Sequence, residues 1–61
     1  MNATERREVG KLVRIVGEGD CDVATPRRFT KGHYAADAWT FAAAMRDKYP
    51  DAEVQVSPIY D

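Results

Sequence analysis

The sequence has too few cysteine and histidine residues to stabilise a small domain by disulfide bonds or a structural metal. Its 61 residues include one cysteine, Cys21, and one histidine, His33. One cysteine cannot form an internal disulfide, and the two residues together do not supply the ligands of a structural zinc site. A chain of this length buries only about 60% of its unfolded surface. We therefore expect its stability to depend on good packing, a second copy or a binding partner.

Long apolar runs and an excess of one charge are also missing. No run approaches the roughly 18 apolar residues of a membrane span, and the first ten residues lack the apolar core of a signal peptide. We expect a cytoplasmic protein that does not engage a membrane. Nine basic and ten acidic residues give a formal net charge of -1, and this balance argues against a general polyanion binder.

The motifs of common enzymes and cofactor-binding proteins do not occur. Gly17 and Gly19 begin a GxGxxG pattern, but Asp22 occupies the third glycine position, and no phosphate-binding loop, calcium loop or HExxH pair is found. Cys21 and His33 are the residue types of a nucleophile and its base, but no third group is evident. We expect Cys21 to be a small residue beside a turn and His33 to lie on a helix surface. The sequence thus predicts no catalytic residue, cofactor, metal or small-molecule substrate, and a protein that is not an enzyme.

Three segments have the composition and alternation of β-strands, at about residues 9–16, 22–29 and 53–60. Glycines in residues 17–20 predict a hairpin turn after the first strand. Pro26 and Pro58 lie in the second and third strands, and proline is confined to edge strands or strand ends. The first strand is therefore predicted to be central. The expected fold is an α+β domain of ββαβ order, an antiparallel sheet of strand order 2-1-3 with one helix on one face, spanning residues 9–61 after a mobile tail at residues 1–8.

The helix is predicted within residues 30–50. Thr30 is the expected N-cap, and Phe29 and Tyr34 the expected hydrophobic staple. Arg46 and Lys48 suit the negative end of the helix dipole. At about 100° per residue, one apolar stripe should face the sheet, and it comprises Tyr34, Ala38, Phe41, Ala42, Met45 and Tyr49. On the sheet side, the expected core is Val9, Val13, Ile15, Val23, Phe29, Val54 and Val56.

Trp39 lies about 100° from the centre of this stripe. An exposed tryptophan there would be a candidate anchor for a partner, because tryptophan and arginine dominate binding hot spots. It could equally lie over the sheet edge and complete the core. The second arrangement is slightly favoured.

The sheet face away from the helix is the main candidate for partner binding, since one helix can cover only one face. The outward residues are expected to be Leu12, Arg14, Val16, Ala24, Arg28, Gln55, Ser57 and Ile59. An apolar centre with arginine is typical of an interface, whereas scattered surface hydrophobes are also normal. The predicted partner-binding residues are Leu12, Arg14, Val16, Arg28, Trp39 and Ile59. The partner is expected to be a protein, either a host protein or a second copy in a homodimer. The exposed backbone of the second and third strands offers another route for binding, by pairing with a foreign strand.

Nucleic-acid binding through a basic sheet face is the alternative. Arg14, Arg27, Arg28 and Lys31 could contact a phosphate backbone. Sheet-based RNA-binding proteins also stack bases on exposed aromatic residues, and the outward set contains none. This makes nucleic acid the second choice.

Two segments, ATPRRFT at residues 24–30 and YPDAEVQV at residues 49–56, resemble short proteins of actinobacteria and their phages, in which a Pro-Arg-Phe strand end precedes an alanine-rich helix. The inferred element order is also similar to that of a short phage-encoded inhibitor of bacterial RNA polymerase. The resemblance implies a small phage protein that regulates or inhibits a host protein in the host cytoplasm. It carries over no functional residue.

Overall fold

The computed structural model describes residues 6–61 and contains three strands and one α-helix. In chain order these are β1 (Glu8–Val16), a 3-10 turn (Glu18–Asp20), β2 (Arg27–Phe29), α1 (Tyr34–Lys48) and β3 (Glu53–Tyr60). The sheet order is β2-β1-β3, and both outer strands run antiparallel to β1. The predicted ββαβ architecture and strand order are confirmed. The prolines indicated this order because neither donates to the central strand.

β1 and β3 form the long part of the sheet. Their pairing runs from Glu8 opposite Tyr60 to Val16 opposite Glu53, with a bulge between Glu8 and Gly10. Of the predicted tail, residues 1–5 lie outside the described residues. Beyond them, Glu8 belongs to the sheet, and the Asp61 N–H donates to the Arg7 carbonyl at 3.0 Å. The ordered domain therefore includes residues before 9.

β2 is three residues long, whereas the sequence predicted eight. Pro26, which has no N–H to donate, immediately precedes it. Upstream, Asp22 forms an isolated bridge with Val16. The predicted turn is present: the Gly17 N–H donates to the Cys21 carbonyl at 2.7 Å, and Gly19 adopts the positive φ of 76° that glycine tolerates. The chain thus turns as expected but pairs with β1 only at Asp22 and again from Arg27.

α1 begins four residues later than Thr30, so the predicted cap and staple are wrong. Gly32 has a φ of +57°, a left-handed conformation that cannot belong to a right-handed helix. The N-cap is His33, whose side chain makes no capping hydrogen bond. Tyr34 is the first helical residue, whereas a staple would require it one turn later. The other end agrees with the sequence, since Arg46 and Lys48 lie in the last turn before Pro50.

The core lies between α1 and the helix-facing side of β1 and β3. Val13, Ile15, Ala38 and Ala42 are all 0% exposed. Phe29, Phe41, Val54 and Val56 pack against the cluster of Val13, Ala38 and Ala42. The predicted stripe is confirmed, because each of its residues is buried or half-buried. Val23 is the exception among the predicted core residues: it follows the Asp22 bridge, outside β2, and is 45% exposed.

Candidate partner-binding surfaces

The pairing register defines the face of the sheet that α1 does not cover. Leu12 lies opposite both Arg28 and Ser57, and Arg14 lies opposite Gln55. Directly paired residues share a face, and successive residues alternate. Because Val13 is buried beneath α1, Leu12 and Arg14 point the other way. We call this side the open face, and it comprises Leu12, Arg14, Arg28, Gln55, Ser57 and Ile59.

Val16 is an even-numbered residue of β1, like Leu12 and Arg14, and alternation would place it on the same face. It is nevertheless not available to a partner. It is only 5% exposed, because the chain returning from the turn lies beside it at the Asp22 bridge. Its predicted place in a binding surface is therefore wrong. Ala24, also predicted to face outward, lies outside β2.

The apolar part of the open face is modest. Leu12 and Ile59 are half-buried. In residues 6–61 the exposed large apolar side chains are Val23, Trp39 and Tyr60. The open face thus offers two partly accessible aliphatic side chains among polar neighbours.

The arginines of the open face differ in their environment. Arg14 Nη2 lies 3.1 Å from Asp22 Oδ1, with both side chains about two-fifths exposed, at 39% and 40%. A pair this exposed contributes at most about 1 kcal/mol, but it ties the turn to the sheet and partly neutralises Arg14. Arg28 is exposed and makes no ion pair within the described residues.

Arg27 lies on the helix side, opposite Val13. Its guanidinium carbon is 5.1 Å from the ring centroids of both Phe29 and Phe41, which are themselves 5.4 Å apart. Arg27 therefore covers an aromatic pair. Together with Arg28, Lys31 and Asp37 it lines a shallow groove of about 390 Å³. Three of the four predicted basic residues, Arg27, Arg28 and Lys31, thus line one groove, whereas Arg14 is paired with Asp22.

Trp39 is 49% exposed, so the slight preference for a core position is wrong. The contacts of the helix show which way it points. Phe41, on one flank, packs on Phe29 of β2, and Asp37, on the same flank, lines the groove beside β2. At 100° per residue, Trp39 and Arg46 project from the opposite flank. They lie on the β3 side of the helix.

The outer side of β3 carries unpaired backbone groups, as the sequence predicted for the second and third strands. The Val23 N–H donates to the Ile15 carbonyl at 3.0 Å, so the odd-numbered residues of β1 direct their backbone groups toward β2. The even-numbered ones then bond to Ser57 and Gln55 of β3. It follows that Val54, Val56 and Pro58 direct their backbone groups outward, where no strand of residues 6–61 pairs with them. The nitrogen of Pro58, which carries no hydrogen, therefore faces the free edge and not β1.

The N-terminal end of the sheet is held by a charged contact. Lys11 Nζ lies 2.7 Å from Glu8 Oε1, and the Lys11 side chain is 20% exposed. The hydrogen bond to Glu8 raises the pKa of Lys11 above its ordinary value of 10.5, against a smaller opposing effect of desolvation, and Tyr34 and Tyr60 act in the same direction as Glu8. Arg6 lies over the exposed Tyr60 ring, 5.5 Å from its centroid.

Cys21 and His33, the residue types of a nucleophile and its base, lie in different parts of the fold, one after the 3-10 turn and one at the start of α1. Cys21 is exposed, and its thiol donates to the Gly19 carbonyl at 3.7 Å. His33 is exposed at the start of α1. Within residues 6–61 no three side chains of His, Cys, Asp or Glu are grouped as metal ligands. In the same part of the chain, no helix has the length and apolar character to cross a membrane.

Comparison with protein-family models, with curated proteins and with solved structures gives no match for this chain.

Proposed function

We propose that this chain is a non-enzymatic protein-binding module that contacts its partner through the open face. The observation that carries the proposal is that α1 covers one side of the sheet only, while Leu12 and Ile59 lie together with Arg14 and Arg28 on the other. Interfaces combine a partly apolar centre with a polar rim in which arginine is common. With a formal net charge of -1, the domain has little long-range preference for either sign of partner.

The resemblance to short phage proteins supports a partner in a bacterial host. In this proposal the chain acts in the host cytoplasm by occupying a surface of a host protein, which it thereby regulates or inhibits. A rigid sheet face suits that role because little conformational entropy is lost on binding.

Nucleic-acid binding remains the second proposal, supported by the exposed Arg28 and Lys31. It is weaker because Arg14 is paired with Asp22 and Arg27 lies over Phe29 and Phe41. The affinity of a phosphate-backbone contact falls steeply with salt. The absence of binding to both DNA and RNA at low salt would remove this proposal.

The test is affinity capture from a lysate of the native host, with and without nuclease, using the wild type and Leu12→Glu. A carboxylate at Leu12 should abolish capture of a partner bound at the open face, because it replaces the apolar centre with a charge that faces Arg28 on the neighbouring strand, and binding would then have to desolvate both charges. Ala36→Glu, on the exposed side of α1, is the matched control and should capture the partner as the wild type does.

Each result has a definite meaning. Loss of the same captured protein with Leu12→Glu alone, unchanged by nuclease, supports the proposal. Identical capture by a folded Leu12→Glu variant would exclude the open face, and capture that nuclease removes would favour nucleic acid. Circular dichroism of each variant establishes that it is folded.

A further inference from the structure

The free edge of β3 has donors and acceptors for another strand over a short stretch. Val54 and Val56 direct both N–H and C=O outward, whereas Pro58 offers only its carbonyl. An added strand can therefore form a complete ladder at Val54 and Val56 but not at Pro58. The question is which strand fits this stretch.

The helix flank above this edge carries an aromatic ring and a cation. Trp39 is 49% exposed, and Arg46 is exposed and makes no ion pair within the described residues. They are seven residues apart, so they lie on nearly the same side of the helix and are separated by about 10.5 Å along its axis. A two-fold axis midway between them would bring each Arg46 against the Trp39 of another copy. An arginine over a tryptophan face is a favourable cation–π contact.

The position of such an axis along α1 can be converted into a residue position on β3. α1 runs antiparallel to β3. Tyr34, at the start of α1, and Tyr60, at the end of β3, both raise the pKa of Lys11 and therefore lie near it. At the other end, the short connection 49–52 joins Lys48 to Glu53. The midpoint between Trp39 and Arg46 lies about 13 Å along the helix from Tyr34. Measured from Tyr60, the same distance along β3 is about four residues. Counted back from Tyr60, this is Val56, so the helix flank places the axis within about one residue of Gln55.

The strand edge independently favours an axis at Gln55. With Gln55 on the axis, the N–H groups of Val54 and Val56 in each copy donate to the carbonyls of Val56 and Val54 in the other. Pro58 then faces Ala52 of the other copy, beyond the end of its β3. We propose that a second copy of this chain occupies the free edge of β3, antiparallel and with the two-fold axis at Gln55, so that each Arg46 lies against Trp39 of the other copy.

Other occupants fit less well. An axis at Val56 would set Val54 against Pro58, whose ring stands where a donor is needed. A foreign strand could use the same backbone groups, but it would have to supply a cation for Trp39 and an acceptor for Arg46. A second copy supplies its own Arg46 as the cation for Trp39, and its Trp39 ring in turn contacts Arg46. In the dimer the two helices lie on one side, and the two open faces form one continuous surface on the other.

The first test is the mass of the wild-type protein in solution. Light scattering and sedimentation from about 1 μM to about 1 mM should show the mass rising from 6.8 kDa toward twice that value. A mass that stays at 6.8 kDa throughout overturns the proposal and leaves the edge to a foreign strand. That result would leave the open-face capture experiment unaffected.

The second test identifies the axis. In the proposed dimer, Gln55→Lys sets two ammonium groups directly opposite one another on neighbouring strands, which weakens pairing. Ser57→Lys introduces the same side chain on the same face, but opposite Glu53 of the other copy, and should leave the dimer intact or strengthen it. Gln55→Lys should raise the dissociation constant by at least about tenfold. Equal behaviour of the two variants would overturn the axis at Gln55.

The third test concerns the helix flank. Trp39→Ala and Arg46→Ala should each raise the dimer dissociation constant by about tenfold or more. Thr40→Ala, next to Trp39 but pointing away from β3, is the matched control and should change it little. A dimer that tolerates Trp39→Ala and Arg46→Ala but is broken by Gln55→Lys would keep the strand pairing and overturn the Arg46–Trp39 contact. Because these side chains are exposed, the variants should remain folded, and circular dichroism checks that they do.

Discussion

The two isoleucines on opposite faces of the sheet provide a direct test of which face is covered. Ile15 is 0% exposed on the helix-facing side of β1, opposite Val54, whereas Ile59 is half-buried on the open face. Changing isoleucine to alanine removes three carbons, each worth about 0.8 kcal/mol when buried, and leaves a cavity that costs more. Ile15→Ala should therefore lower the free energy of unfolding by about 3–4 kcal/mol. Ile59→Ala should lower it by about 1 kcal/mol, since much of that side chain already meets water.

The predicted losses are large compared with the total free energy of unfolding of the domain. At about 0.05–0.15 kcal/mol per residue, the whole chain should have a stability of about 3–9 kcal/mol. Urea unfolding followed by far-UV circular dichroism at low micromolar concentration, where association is weakest, measures each loss from the midpoint and slope. Ile15→Ala should remove about a third or more of this stability. Equal losses from the two substitutions would refute the reasoning, because they would mean that the open face is covered.

Two further predictions concern the N-terminal half of β1. Gly10→Ala should lower the free energy of unfolding by about 1–3 kcal/mol. The reason is that an added Cβ would lie 2.6 Å from the Phe29 carbonyl oxygen and 2.8 Å from Thr30 Cγ2. An unchanged urea midpoint would contradict the close approach of β2 to Gly10. Lys11→Gln should flatten the decline of the thermal midpoint at alkaline pH. The pKa of Lys11 is raised above 10.5 by Glu8, so its stabilising effect is complete below 10.5 and is lost as the pH rises through the higher folded-state value. Lys31→Gln is the control, and alkaline profiles that coincide for the wild type and Lys11→Gln would rule out the effect.

Much of the architecture could be predicted because it depends on local rules. Pro26 and Pro58 indicated which strands lie outside, since a proline cannot donate within a ladder. The helical stripe followed from the 3.6-residue period, and the two fully buried alanines, Ala38 and Ala42, belong to it. Each of these inferences needed only the chemistry of a residue and its spacing.

The errors arose where distant parts of the chain meet. The start of α1 is set by the left-handed Gly32 in the connection from β2, which outweighs the capping preference of Thr30. The burial of Val16 depends on the returning chain at Asp22, and neither residue reveals this alone.

The direction of Trp39 could not be predicted for a related reason. Its angle on the helix was evident from the sequence, but the identity of the strand beneath that flank depends on where Phe41 and Phe29 pack. The free edge of β3, by contrast, follows from the sequence, because the predicted strand order places β3 at the border of the sheet.

The shortness of β2 has a consequence for how large any assembly can become. A sheet that adds strands at both edges polymerises into a fibre, whereas one that adds strands at a single edge closes after one addition. Here the two borders are unequal: β3 presents eight residues, and β2 presents three, two of them exposed arginines. In the proposed dimer, pairing at β3 would use up the long border of both copies and leave two short, positively charged ones. Strand addition would then stop at two copies without a long covering segment.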